Sequence, residues 1–269
     1  MNRIDATFAR LRAGDRKAFI PYITAGDPTL GRTRQLVHAL ERAGADVLEL
    51  GIPFSDPLAD GRTNQEAAER ALKNHVTLAD VVALVRAVRA ETQLPILFFT
   101  YVNPVFQYGY GRFARDAADA GLDGVLALDM PPEEAAPLKR ELDATGIRMI
   151  FLVAPTSTPE RVHAIAAMAS GFIYYVSRTG VTGARDTVST DVASHLALIR
   201  AHSPLPIAVG FGVSTPAHVA EIARVADGVV VGSAIVRRIG DGGDTDAMVQ
   251  DVELFATSLA KPLNISGGG

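Results

Sequence analysis

Two carboxylates set in contrasting surroundings are the groups best suited to moving protons. Glu49 interrupts the apolar run DVLELGIPF between Leu48 and Leu50, and Asp60 follows shortly after in FSDPLADG. A carboxyl group held among apolar side chains has its charged form disfavoured, which raises its pKa toward the range useful for giving and taking protons. The same position also admits an ion pair with an arginine, or a helix amide, inside the fold. Asp60 precedes a glycine, where aspartate commonly ties a turn through local hydrogen bonds. Asp56 and Pro57 share its loop, so capping and chemical roles both stay open there. Two acids on opposite sides of a substrate manage protons at different atoms only if their environments differ.

The rest of the reactive inventory narrows the chemistry. The chain has no cysteine, which excludes disulfides, thiolate nucleophiles and cysteine-held metals. Its only lysines are Lys17, Lys73, Lys139 and Lys261, none near the C-terminal end of an expected strand, so an amine for Schiff-base chemistry is missing from the mouth of the fold. The six histidines fall in expected helices or connectors and form no HExxH or similar ligand cluster. Acid–base work is left to carboxylates, with tyrosine as assistant.

Three glycine-containing loops lie in the last third of the chain: GVTGA (180–184), GFGVST (210–215) and GSAI (232–235). Backbone amides at Gly183, Gly212, Gly232 and Ser233, with the Ser233 hydroxyl, could face a phosphate there, since glycine lets the backbone approach closely and helix N-termini favour anions. No lysine or arginine clamp is evident, so neutral amides would carry much of the binding. Tyr22, Phe99, Tyr174 and Phe211 sit near strand ends and would add a flat apolar half to the pocket. Alternation lets only one of Tyr174 and Tyr175 face inward.

The elements that must position these groups are short apolar runs alternating with helical stretches. Strands are predicted at 18–23, 46–50, 95–100, 124–128, 148–153, 172–176, 206–210 and 228–232, mostly apolar on both faces, as in a parallel sheet covered by helices. Asp27-Pro28, Thr158-Pro159 and Thr215-Pro216 each read as a capping oxygen before a first-turn proline. Thr77 with Asp80 resembles a capping box, and Gly44, Gly121, Gly146 and Gly171 read as helix stops. TFARLRAG reads as an additional N-terminal helix closing the bottom. The interval between the second and third strands is the longest and predicts a loop or helix pair. Eight such units in 269 residues fit an α/β chain folded as a single (β/α)8 TIM barrel, one domain over 1–269. The first βα turn, ITAGDPT, is not the glycine pattern of an open dinucleotide-binding sheet. DGGD (241–244) reads as a loose loop near the last helix, and residues after about 262 as a frayed end.

Hydrophobic residues make up 48% and charged residues 21%, enough for a core and a soluble surface. A net charge of -4 gives no reason to expect nucleic acid or an anionic membrane as partner. The first twenty residues lack the pattern of a secretory signal, and no apolar stretch is long enough to span a bilayer. The expected location is cytoplasmic.

Taken together, LELGIPFSDPLADG (48–61), TYVNPVF (100–106), YYVSRTGVTGA (174–184), VGFGVST (209–215) and VGSAIV (231–236) make the chain closely resemble the tryptophan synthase α chain family. The resemblance covers essentially the whole chain. It implies a lyase that cleaves indole-3-glycerol phosphate to indole and glyceraldehyde 3-phosphate, with Glu49 as general acid–base and Asp60 as the loop carboxylate. It implies substrate contacts at Tyr174, Gly183, Gly212, Gly232 and Ser233, and a mobile loop in which Thr182 bonds Asp60 on closure. No cofactor is implied for this chain. A partner is: the pyridoxal-phosphate-dependent β chain, in an αββα heterotetramer, contacted near Asp56, Pro57, Asn103, Phe106 and Pro131. Rival readings are a phosphosugar isomerase, whose barrel lysine or histidine is missing, and a non-catalytic activator of a β chain.

Overall fold

The computed structural model describes residues 1–177, 187–210 and 212–264. Its strands are β1 (Ala18–Thr24), β2 (Leu48–Gly51), β3 (Ile96–Thr100), β4 (Gly124–Ala127), β5 (Arg148–Val153), β6 (Ile173–Val176), β7 (Ile207–Gly210) and β8 (Gly228–Val231). All are parallel and follow chain order around a closed barrel, β8 returning to β1. Every expected strand is present, with ends shifted by two residues at most.

Strand alternation splits the core in two. Ile20, Leu97, Leu126, Ile150, Ala208 and Val230 fill the barrel interior. Phe19, Leu48, Phe98, Phe151, Val209 and Val229 face the helical layer. Both faces are apolar because each is covered, which is why the strands read as continuous apolar runs.

The helices are α1 (Arg3–Ala13), α2 (Leu30–Arg42), α3 (Arg62–Lys73), α4 (Leu78–Arg89), α5 (Val102–Tyr108), α6 (Tyr110–Ala120), α7 (Ala136–Thr145), α8 (Pro159–Met168), α9 (Thr187–His202), α10 (Pro216–Ala223), α11 (Ser233–Gly242) and α12 (Asp246–Ala260). Helix α1 closes the barrel floor as expected: Ile4, Phe8 and Leu11 join the interior cluster, and the Phe8 ring lies 5.5 Å from that of Phe172. The long interval after β2 holds the pair α3 and α4, the second opened by a complete Thr77–Asp80 capping box. Thr158 and Thr215 cap α8 and α10 ahead of their prolines. Gly121 and Gly146 end α6 and α7 in the left-handed conformation, at φ +86° and +78°, which a side chain would disfavour.

Three local expectations are corrected. Asp27 caps no helix: Thr29 caps α2, and the buried Asp27 carboxylate takes two 2.8 Å hydrogen bonds from Arg70 on α3. A charged group removed from water needs an opposite charge more than the neighbouring helix needs its cap. DGGD is not a loose loop. Asp241 and Gly242 finish α11, and Asp244 is held by Arg32, which also binds Asp246. Of the stretch expected to fray after about 262, Leu263 is buried within a 3-10 turn over Lys261–Asn264, and residues 265–269 lie outside the described residues. Among the described residues no helix is long and apolar enough to cross a membrane.

Candidate active site

The strands' C-terminal ends surround a cavity of about 400 Å³. Glu49 reaches it because Leu48 and Leu50 on the same strand pack into the helical layer, which turns the intervening side chain inward. Glu49 is 1% exposed, and its Oε1 has no hydrogen-bond partner. Among the described residues it forms no ion pair, so the arginine or helix-amide arrangement open at the sequence level is absent there. Burial alone pushes its carboxyl from the ordinary 4.5 up to about 8. At neutral pH it is therefore mostly an acid with a proton to give.

Two inward tyrosines stand beside it. Tyr22 on β1 is the register partner of Glu49, and its ring meets that of Phe99 edge-on at 5.1 Å. Tyr174 on β6 faces the cavity, whereas Tyr175 points outward and stacks on His195, which settles the choice left by alternation. Burial raises both phenols, and the carboxylates raise them further: Asp60 and Glu49 act on Tyr22, Glu49 on Tyr174. Both remain neutral. Each hydroxyl lies over a glycine: a Cβ on Gly51 would sit 2.2 Å from the Tyr22 Oη, and one on Gly210 2.3 Å from the Tyr174 Oη. Leu128, Leu152 and Val176 line the same cavity and give it an apolar wall.

Asp60 lines the cavity from the loop between β2 and α3. Burial raises its pKa, while hydrogen bonds donated by Tyr101 (2.9 Å) and Asn64 (3.5 Å) oppose the rise. The two carboxylates thus occupy different settings, one without a donor at Oε1 and one held by donors.

Gly212, Gly232 and Ser233 border the cavity as well. Gly232 is the N-cap residue of α11 and Ser233 its first residue. The first amides of a helix have no partner within it and favour an anion. Arg237, one turn further along α11, lines the same cavity, a cation that the sequence reading did not place there. Thr182, Gly183 and Phe211, with Arg178, lie outside the described residues.

The expected partner-facing residues lie on the loop after β2 (Asp56, Pro57), on α5 (Asn103, Phe106) and on the loop after β4 (Pro131). Asp56, Asn103 and Phe106 are exposed, while Pro57 and Pro131 are half-buried. Phe106 is 62% exposed and touches Tyr110 edge-on at 5.9 Å, and Leu58, not singled out from sequence, is 92% exposed. Sequence reasoning also missed Tyr101 and Asn64. Tyr101 carried a usable signal, because the period-two pattern that turns Phe99 toward the mouth turns Tyr101 the same way. Among the described residues no cluster of His, Asp or Glu is arranged to hold a metal ion.

Known proteins resemble this chain along nearly its whole length. The family model for the tryptophan synthase alpha chain matches residues 8–264. The tryptophan synthase alpha chain of Geotalea daltonii is 54% identical over 238 residues, covering 88% of this chain and 90% of that one. That of Pelobacter propionicus is 48% identical over 265 residues, 98% of each. Among solved structures, tryptophan synthase subunit alpha from Legionella pneumophila superposes with a TM-score of 0.89 at 39% identity, covering 98% of this chain and 99% of that one. Mycobacterium tuberculosis tryptophan synthase does so with 0.89 at 36%, again over 98% and 99%. From the closed barrel, the paired carboxylates at its mouth and these matches, the chain belongs to the tryptophan synthase alpha chain family.

Proposed function

We propose that Glu49 and Asp60 divide the work of breaking one carbon–carbon bond. The reaction is the lyase step of tryptophan biosynthesis that cleaves indole-3-glycerol phosphate to indole and glyceraldehyde 3-phosphate. The observation that carries the assignment is the buried, donor-free Glu49 carboxyl, which holds its proton at neutral pH inside the cavity.

The substrate lies with its phosphate at the Gly212, Gly232 and Ser233 end and its indole ring against Phe99, Leu128 and Leu152. Glu49 gives its proton to indole C3, which becomes tetrahedral as positive charge develops at the ring nitrogen. Asp60, an acceptor held in place by its two donors, stabilises that charge through the ring N–H. Glu49, now a carboxylate, takes the proton from the hydroxyl on the carbon attached to C3. The C–C bond breaks, its electron pair restores the neutral indole, and the hydroxyl-bearing carbon becomes the aldehyde. One proton is given and one recovered, so Glu49 ends as it began. Tyr22 and Tyr174 remain neutral and help hold the ring and the acid. At the substrate site we also propose Gly183 as the phosphate contact and Thr182 as the partner of Asp60, both implied by the family resemblance, and Phe211 as an apolar contact, as its place after β7 suggests.

Indole released here passes to a second protein, the pyridoxal-phosphate-dependent β chain, in an αββα assembly working in the cytoplasm. Exposed Leu58 and Phe106, beside Asp56, Pro57, Asn103 and Pro131, support a partner-covered face, since large apolar side chains gain from being covered. The test is to incubate the purified chain with indole-3-glycerol phosphate and measure both products, with Glu49→Gln alongside. Equimolar release by the parent and a loss of at least about 1,000-fold in the variant is expected for removal of the proton source. Normal turnover by the variant would remove Glu49 from the chemistry.

A further inference from the structure

We infer that Tyr101 is the positioning residue for Asp60, its hydroxyl fixing both the loop carboxylate and the backbone that carries it. The inference rests on the role proposed for Asp60 above. Asp60 sits on a loop whose neighbours Ser55, Asp56, Leu58 and Ala59 are exposed. Such a segment holds a catalytic geometry only if something rigid pins it.

Tyr101 supplies the pin from outside the loop. It follows β3 directly, is buried, and is the N-cap residue of α5. Its hydroxyl donates to Asp60 Oδ2 at 2.9 Å and accepts from the Ala59 N–H at 3.0 Å. Its ring packs against Phe54, earlier in the same loop, at 5.2 Å. The second donor to the carboxylate, Asn64, is longer at 3.5 Å and comes from α3, the helix that the loop itself leads into. Gln65 reaches backbone carbonyls only, those of Asp60 at 2.9 Å and Pro57 at 3.3 Å, and not the carboxylate. The short bond from Tyr101 is therefore the one that ties the carboxylate to the barrel wall. Burial and the charge of Asp60 raise the Tyr101 phenol, so it stays a donor across the working pH range. A hydrogen bond to a carboxylate is charge-assisted and about twice as strong as a neutral one. The other charged or titratable groups lining the same cavity are Glu49, Tyr22 and Tyr174 across from it, Arg62, which is paired with Glu66, and Arg237 on α11.

The experiment is steady-state cleavage of indole-3-glycerol phosphate by the full chain as parent, Tyr101→Phe, Asp60→Asn and the double variant, across pH. Phenylalanine keeps the ring packing and removes only the hydroxyl. Tyr101→Phe is expected to lower kcat about tenfold with KM within about twofold. The acid limb of kcat/KM should move up by about one pH unit, because the carboxylate loses a stabilising donor. With asparagine at position 60, removing the hydroxyl should change kcat by less than about twofold. An unchanged kcat and pH profile in Tyr101→Phe, or an equal loss in both backgrounds, would overturn the inference while leaving Asp60 in place. Normal turnover by Asp60→Asn overturns the role of Asp60 and this inference together.

Discussion

Tyr22 and Glu49 are register partners across the β1–β2 ladder, and both side chains point into the mouth of the barrel. The buried acid thus stands beside a buried phenol rather than beside a base, and among the described residues no donor or cation stabilises its charged form. Everything that distinguishes Glu49 from an ordinary surface glutamate follows from that placement.

Stability should record it. The folded-state pKa of Glu49, about 8, lies above the ordinary 4.5, so between those values the folded chain binds more protons than the unfolded one. Stability contributed by the neutral form is complete below pH 4.5 and is lost as pH rises through about 8. Glu49→Gln, neutral throughout, should match the parent in acid and exceed it increasingly up to pH 8, by on the order of 5 kcal/mol at the plateau. Urea unfolding at pH 5, 7 and 9 on both chains reads the gap; a gap that stays flat with pH would speak against a buried, neutral Glu49.

Space at the site is equally constrained. Gly51→Ala puts a methyl group 2.2 Å from the Tyr22 Oη, and the ring behind it is at 2.7 Å. Overpacking of this kind costs about 1–3 kcal/mol, and displacement of Tyr22 should reduce turnover about tenfold or more. Adding Tyr22→Phe removes the nearest contact and should restore part of the melting temperature. A Gly51→Ala chain that melts with the parent would mean that the tyrosine is free to move aside.

The phosphate end can be tested by a change that separates binding from folding. Ser233 is exposed at the first position of α11. A carboxylate there suits the positive end of the helix, so Ser233→Asp should leave the melting temperature unchanged or slightly raised. It would also repel a bound phosphate, and KM for indole-3-glycerol phosphate should rise about 100-fold. Thermal melting and kinetics on the same sample check both halves; an unchanged KM would move the phosphate elsewhere.

Much of this architecture can be read from local pattern. The strands are visible because apolar blocks of strand length recur between capped helical stretches, and a barrel interior plus a helical coat makes both faces of each strand apolar. Glu49 stands out for the same reason, as a charge where alternation leaves no water. Asp27 was misread because its neighbour Pro28 looks like a helix start, whereas its partner Arg70 arrives from α3, a contact that no local pattern encodes. For Tyr101 the period-two pattern gives the direction of the side chain but not its partner, since its hydroxyl meets Asp60 only because the end of β3 lies beside the loop after β2. DGGD looked loose because glycine pairs usually are, and Arg32 on α2 was too distant in sequence to be matched to Asp244.

Protonation of Glu49 itself is accessible to a carbon-13 titration of the side-chain carboxyl, assigned by its disappearance in Glu49→Gln. A midpoint near pH 8 is expected for an acid buried without a donor. A midpoint near 4.5 would mean that the group is ionised at neutral pH and has no proton to give to the ring.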